Sequence, residues 1–128
     1  IIQDDPVRPK IPADWRIAHG REVYTLVDEH QNEPLAVICV AYCDDVPTNE
    51  ADMNRTGDGV AVFYTVWSYS RGAGRTIVNQ VFEHIHKTRP CKQYVTLSPL
   101  TEMAERFHKS NGATLLARHK YAQNFEYK

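Results

Sequence analysis

The stretch that decides the fold runs from Gly59 to Pro90 and has three parts. It reads Val60-Ala-Val-Phe-Tyr-Thr-Val-Trp-Ser68, then Tyr69-Ser-Arg-Gly-Ala-Gly-Arg75, then Thr76-Ile-Val-Asn-Gln-Val-Phe-Glu-His-Ile85. The first part is rich in β-branched and aromatic residues, which is typical of a strand. The last part repeats apolar residues at the spacing of one buried helix face, at Ile77, Val78, Val81, Phe82 and Ile85. We therefore predict a strand, a glycine-rich turn and a helix.

The turn between this strand and helix is a candidate anion site. The first turn of a helix has N–H groups without partners, and the helix dipole favours negative charge there. Gly72 and Gly74 would let a phosphate approach the backbone, and Arg71 and Arg75 would add bidentate donors. The alternative is a structural turn with solvated arginines. The P-loop and the dinucleotide-binding fingerprint do not match, because the Lys-Ser/Thr pair and the third glycine are missing.

Length and composition set the class of protein. The chain has 128 residues, 42% of them apolar, and a formal net charge of −1, which predicts one domain over 1–128. Near-neutral charge gives no electrostatic case for nucleic acid or membrane binding, and no apolar run is long enough to span a bilayer. Three cysteines without a Cys-x-x-Cys pair favour a reduced, cytoplasmic protein. The six histidines show no metal-ligand spacing.

The remaining segments complete an order of β-β-β-α-β-α-β. Residues 1–20 read as an extended arm with a short helical turn, and polar residues 44–58 read as a long loop. Predicted strands cover 21–28, 35–42, 94–97 and 113–117, and the aromatic segment 121–127 is a candidate for extended backbone. A second helix begins with either Ser98 or Thr101 as its N-cap and ends at Asn111-Gly112. Its apolar residues are Leu100, Met103, Ala104 and Phe107.

This order of elements resembles the GNAT superfamily, the acyl-CoA N-acyltransferases, over about residues 21–118. The family's phosphate loop, Gln/Arg-x-x-Gly-x-Gly/Ala, is similar to Tyr69-Ser-Arg-Gly-Ala-Gly74, although Tyr69 stands at its first place. A second register, Arg71-x-x-Gly74, keeps the arginine but puts Thr76 where a small residue is expected. The resemblance implies an α/β (α+β) fold: a mixed sheet of three antiparallel strands followed by α-β-α-β, shortened at its N-terminus.

The resemblance also implies a coenzyme A site. The family holds the pantetheine arm on backbone amides of the strand before the loop and the pyrophosphate on the loop and helix start. The cofactor-binding residues implied here are Val66, Trp67, Ser68, Arg71, Gly72, Ala73, Gly74, Arg75 and Thr76. The implied cosubstrate is acetyl-CoA or another acyl-CoA, and the acceptor is an amine on a small molecule or a protein. A homodimer stays open as an assembly.

The family ends its last helix with Phe-Tyr-x-x-x-Gly, and the corresponding residues here are Phe107-His108-x-x-x-Gly112. His108 therefore stands in place of the tyrosine that, in the family, often protonates the CoA thiolate. An unperturbed imidazole pKa of about 6.5 suits His108 to that proton transfer. The alternative for His108 is packing at the helix edge. We expect Phe107 to face the core and His108 to lie beside the CoA groove. Asp and Glu are absent between Val60 and Ser70, where some family members place a base.

A second resemblance competes with simple acyl transfer. The catalytic domain of malonyl-CoA decarboxylases, itself a GNAT fold, carries similar pieces at Leu97-Ser98-Pro99 and Phe107-His108-x-x-Asn111-Gly112. By that resemblance Ser98 and His108 are the catalytic pair, while the alternative for Ser98 is a plain N-cap. Over one helix the two backbones would stand roughly 15 Å apart, which argues against a direct hydrogen bond. Small phage-encoded proteins look similar over the whole length.

Three classes of function therefore stand. We expect an acyl-CoA-dependent N-acyltransferase first, a malonyl-CoA decarboxylase-type enzyme second, and a CoA-binding module without activity third.

Overall fold

The computed structural model describes residues 4–128. The helices and strands, in chain order, are α1 (Ala13–Arg16), β1 (Arg21–Val27), β2 (Pro34–Cys43), a 3₁₀ helix (Ala51–Asn54), β3 (Val60–Ser68), α2 (Ala73–Thr88), β4 (Gln93–Thr96), α3 (Glu102–Ser110), β5 (Thr114–Arg118) and β6 (Gln123–Tyr127). The predicted mixed α/β fold is confirmed. Within the segment 121–127, Gln123–Tyr127 forms β6, which pairs with both β4 and β5.

One six-stranded sheet forms the body of the molecule, in the order β1-β2-β3-β4-β6-β5. The first three strands are antiparallel, and β3 and β4 pair in parallel. The connection from β3 to β4 is α2, because parallel neighbours need a crossover of a dozen or more residues. Alternating residues of β2 and β3 face opposite sides, so both faces of the sheet are apolar.

The two faces of the sheet are covered by different parts of the chain. On one face, α2 buries Ile77, Val78, Val81 and Ile85, as its periodicity predicts. On the other face, Ile11 and Trp15 of the N-terminal segment and Met53 of the 3₁₀ helix pack over β2 and β3. Cys39 and Cys43 point to this second face, buried as small apolar residues. The long loop and the arm therefore take the place of a helical layer.

Buried charges fix the arm to the sheet. Asp5 is 2% exposed and Arg16 is fully buried, and Arg16 Nη1 donates to Asp5 Oδ2 over 2.7 Å. Asp5 Oδ1 also accepts from the backbone N–H of Val7 and from the Thr65 hydroxyl. Burial acts to raise the pKa of Asp5, but these hydrogen bonds and one from the N–H of Arg8 outweigh it and hold that pKa below its usual value. The arm is thus tied to β3 by a satisfied ion pair.

The start of α3 decides between the two predicted caps. Thr101 is the N-cap, and its side chain accepts a hydrogen bond from the N–H of Ala104 over 3.2 Å. Ser98 as N-cap is therefore wrong. Ser98 instead forms a two-way backbone bridge with Gln123, which extends the sheet past the end of β4.

Candidate functional site

A fork opens between β3 and the segment that follows β4. The two strands pair from Val60 to Phe63 on β3, and Leu97 N–H still donates to Phe63 O over 3.2 Å. Beyond that point they separate. The register between β2 and β3 shifts at the same place, so that Tyr64 is an extra residue on β3. Such a bulge bends a strand and increases its twist, which accounts for the divergence.

A groove of about 360 Å³ occupies the fork. One wall is β3 from Phe63 to Ser68, and the opposite wall is made by residues 97–101 and α3. Pro6 and Val7 of the arm close one side. The sequence-predicted residues that line it are Val66, Trp67, Ser68, Gly74, Ser98 and His108. The structure therefore brings together one part of the predicted loop, the predicted strand residues and the predicted catalytic pair.

The remaining loop residues lie at the mouth of the fork, around the start of α2. Gly72 is the N-cap with φ of +81°, a left-handed conformation that favours glycine, and it offers no side-chain cap. Within residues 4–128, Arg71 and Arg75 form no ion pair or side-chain hydrogen bond, and both are exposed. Thr76 is also exposed, and its hydroxyl donates to Gly72 O. Ala73 is buried, and its N–H donates to Ser70 O over 3.1 Å. The first turn of α2 thus presents the N–H groups of Gly74 and Arg75, without a side-chain cap, and two solvated guanidinium groups.

Gly74 also lies against the groove wall, a contact that its position in the sequence does not reveal. A Cβ placed there would lie 3.4 Å from the Phe107 ring and 3.8 Å from Ser68 Cβ. The ring of Phe107 therefore packs against the backbone of α2 where the groove meets the helix. A side chain longer than alanine at position 74 would push into the groove wall.

His108 is not at the edge of its helix. It is 6% exposed, its ring stacks on Phe125 at a centroid distance of 5.5 Å, and Phe107 is only half-buried beside the groove. The helix-edge position expected for His108 is therefore wrong, although its ring does line the groove, and Phe107 packs against both the core and the groove. Met103, predicted to be apolar core, is 75% exposed and lines the groove.

Burial changes the chemistry expected of His108. Desolvation lowers the pKa of its imidazole to about 4, so the ring is neutral at pH 7. Its Nδ1 lies 2.7 Å from the hydroxyl of Tyr127, whose pKa burial raises to about 12. The Asn111 side chain is a second neighbour of that hydroxyl. In the tautomer in which the hydroxyl donates to Nδ1, the ring hydrogen lies on Nε2. The arrangement can donate a hydrogen bond into the groove, but it does not store a proton near neutral pH.

Ser98 belongs to the same groove wall as His108 and bonds elsewhere. Its Oγ is 2.7 Å from Thr96 Oγ1, which also accepts from the N–H of Phe125. The predicted pair therefore shares the groove without a direct hydrogen bond. Sequence reasoning missed Tyr127 as the partner of His108, although an aromatic strand at the C-terminus was a signal for it.

Two classes of site find no support in residues 4–128. No group of three His, Cys, Asp or Glu side chains in this part of the chain is placed to hold a metal ion. Its longest helix, α2, has 16 residues, and none of its helices is long and apolar enough to cross a membrane.

Comparisons with known proteins give matches among solved structures. No family model and no curated protein matches the chain. Among solved structures, the malonyl-CoA decarboxylase from Cupriavidus metallidurans is similar at 26% identity and a TM-score of 0.57, over 73% of this chain and 26% of that one. The chain thus spans about a quarter of the length of that decarboxylase.

N-acetyltransferases match over a larger share of both chains. PseH from Campylobacter jejuni, solved in complex with acetyl coenzyme A, has 10% identity and a TM-score of 0.63, over 87% of this chain and 70% of that one. The spermidine N-acetyltransferase SpeG from Vibrio cholerae has 10% identity and a TM-score of 0.60, over 87% of this chain and 66% of that one. The fold is therefore the GNAT-like fold that the sequence predicted.

Proposed function

We propose that this protein is an acyl-CoA-binding enzyme that transfers an acyl group from CoA to an amine. The observation that carries the proposal is that the forked groove ends at the uncapped start of α2. A ligand with an extended thiol arm and a pyrophosphate fits both features at once. The pyrophosphate would lie on the N–H groups of the first turn of α2, between Arg71 and Arg75. The arm would run along Val66 to Ser68 toward the fork's apex.

His108 and Ser98 would act on the thioester at the inner part of this groove. The Nε2–H of His108 is a neutral donor, suited to stabilising charge that develops on the thioester oxygen. None of the groove-lining residues within 4–128 is Asp or Glu, so the acceptor amine would lose its proton to water or to another base. The acceptor class, a small molecule or a protein amine, is part of the proposal. SpeG, a spermidine N-acetyltransferase, shows that this fold can serve a polyamine.

Decarboxylation of malonyl-CoA is the second candidate, and two observations favour it. Ser98 and His108 both line the groove, and the identity to the decarboxylase is 26%, against 10% for PseH. The reaction needs no base: the bond to the carboxylate breaks, carbon dioxide leaves, and the electron pair forms an enolate that then takes a proton. A neutral Nε2–H at His108 would stabilise the enolate oxygen. A CoA-binding module without activity is the third outcome.

The test begins with CoA affinity measured by calorimetry. Arg71→Ala and Arg75→Ala should each weaken CoA binding about tenfold, because each removes a charged donor to phosphate. Arg106→Ala is the matched control, since Arg106 is an exposed arginine on α3 outside the groove lining. Wild-type affinity in both loop variants would overturn the phosphate assignment.

The two candidate reactions are then distinguished by the substrate that each one uses. Acetyl-CoA with a panel of amines is followed by free thiol, and malonyl-CoA alone is followed by released carbon dioxide. Thiol release that requires an amine supports transfer. Carbon dioxide release without an acceptor supports decarboxylation, and CoA binding without either product supports a binding module.

The compartment and the oligomeric state of the protein are also proposals. The cysteines Cys39, Cys43 and Cys91 are free, which is consistent with a reducing compartment such as the cytoplasm. A homodimer remains a proposal for sedimentation analysis, and the phage-encoded origin suggested by the sequence stays a prediction.

A further inference from the structure

The arm places one arginine at the apex of the fork. Arg8 Nε donates to Tyr64 O over 3.0 Å and its Nη2 donates to Leu97 O over 2.6 Å. These two carbonyls belong to the two strands that separate there. The third nitrogen, Nη1, pairs with Glu50 at 2.5 Å. The guanidinium therefore bridges the two segments where they separate, although Arg8 does not itself line the groove.

Arg8 is held firmly in this position. Its N–H donates to Asp5 Oδ1 over 3.0 Å, and its carbonyl accepts from Arg16 Nη2 over 2.7 Å. Its side chain is only 10% exposed. Because Asp5 and Arg16 are themselves buried and paired, displacing Arg8 would disturb a network that is otherwise satisfied.

A second cavity lies on the far side of the arm. This cleft has a volume of about 580 Å³ and is lined by Arg8, Ile11, Trp15 and Met53, among others. Val7 lines both the cleft and the groove. The segment around Arg8 is therefore the partition between the groove and a larger, mainly apolar space.

We propose that Arg8 is a specificity-determining residue that restricts the ligand to a short acyl chain, of the size of acetyl or malonyl. The inference rests on the proposed function, in which the ligand runs from α2 to the apex, so that its acyl end points at Tyr64 and Leu97. A longer chain has to pass Arg8, break its hydrogen bonds and leave two carbonyls without partners. Without the side chain, the same methylenes could enter the apolar cleft.

Affinities of CoA, acetyl-CoA, butyryl-CoA and hexanoyl-CoA, measured by calorimetry, test this. The wild type should bind hexanoyl-CoA about tenfold or more weakly than acetyl-CoA, since a closed pocket rejects extra methylenes by this order. Arg8→Ala should abolish or reverse that preference, with each acyl-CoA affinity expressed relative to the variant's own affinity for free CoA. Arg106→Ala is the control with the same loss of charge outside both cavities, and it should keep the wild-type ratio.

Each result separates this inference from the proposed function. If the wild type binds hexanoyl-CoA as tightly as acetyl-CoA, the inference is overturned, whether or not the alanine variant folds. An unchanged ratio in folded Arg8→Ala, or in the milder Arg8→Gln, also overturns it. Failure of the wild type to bind free CoA would instead refute the proposed function.

Discussion

The buried imidazole of His108 makes the stability of this protein depend on pH in a predictable direction. The pKa of this group is about 4 in the folded chain, against the ordinary 6.5 expected after unfolding. A proton therefore binds the unfolded chain more tightly. Stability from this group is complete above about pH 6.5 and is lost as the pH falls toward 4. Between pH 8 and pH 5 the loss from His108 is about 2 kcal/mol of unfolding free energy.

The measurement is urea unfolding at pH 8 and pH 5, followed by tryptophan fluorescence, for the wild type and His108→Gln. Glutamine can still bond to the Tyr127 hydroxyl, and the contributions of all other groups are common to both proteins and cancel in the comparison. The wild type should lose about 2 kcal/mol more than the variant over this range. An equal loss in both proteins would refute the burial of a neutral ring at this position.

The same property predicts the pH profile of turnover. A general acid with an ordinary imidazole pKa would lose activity as the pH rises through about 6.5. A neutral Nε2–H donor keeps its role across that range, so kcat should not fall between pH 6 and pH 8 on account of His108. A decline in kcat centred near pH 6.5 that is missing in His108→Gln would contradict a buried, neutral His108 ring.

Three further changes test other parts of the molecule. Asp5→Asn should lower the free energy of unfolding by about 3 kcal/mol or more, because it leaves Arg16 buried without its charge partner. Urea unfolding measures this loss, and a change below about 1 kcal/mol would contradict the buried pair. Gly74→Glu should abolish measurable CoA binding in calorimetry with an unchanged circular dichroism spectrum, and normal affinity in the folded variant would exclude this helix start as the phosphate site. Thr101→Ala should cost about 1 kcal/mol through loss of the N-cap of α3, and an unchanged urea midpoint would mean that the cap is dispensable.

Local signals in the sequence were enough for the central unit of the fold. The β-branched strand, the two glycines and the periodic helix predicted β3 and α2 to within a few residues, because each signal acts over a short stretch of chain. The last strand was harder to predict, since β6 is stabilised by pairing with β4 and β5 rather than by its own pattern.

The apolar face of α3 shows a limit of periodicity. Leu100, Met103, Ala104 and Phe107 recur at helical spacing and predicted a core face, yet Leu100 is 47% exposed, Met103 is 75% exposed, and the last three residues line the groove. Periodicity reports that one side of a helix is apolar but not what covers it. An apolar groove wall and a core face have the same spacing, so the burial of His108 was not predicted.

The packing of the arm was missed for a different reason. Residues 1–20 were read only as an extended arm with a short helical turn, but Asp5 and Arg16 are buried together, and Arg8 is nearly so. Burial of a charged pair depends on partners far along the chain, such as Thr65 and the Tyr64 carbonyl, which no local pattern indicates. The sequence therefore did not predict that the arm forms part of the groove wall.

The two carbonyls bridged by Arg8 have a thermodynamic consequence for any ligand of the fork. A pair of separated strands normally leaves backbone oxygens in need of partners, which would favour closing the gap. Because Tyr64 O and Leu97 O are satisfied by the guanidinium, the open shape is already a stable state of the free protein. Ligand entry then requires no strand separation and little ordering of backbone, so most of the contact energy is retained as affinity. The fork is preorganised, and binding should proceed close to a rigid-body encounter.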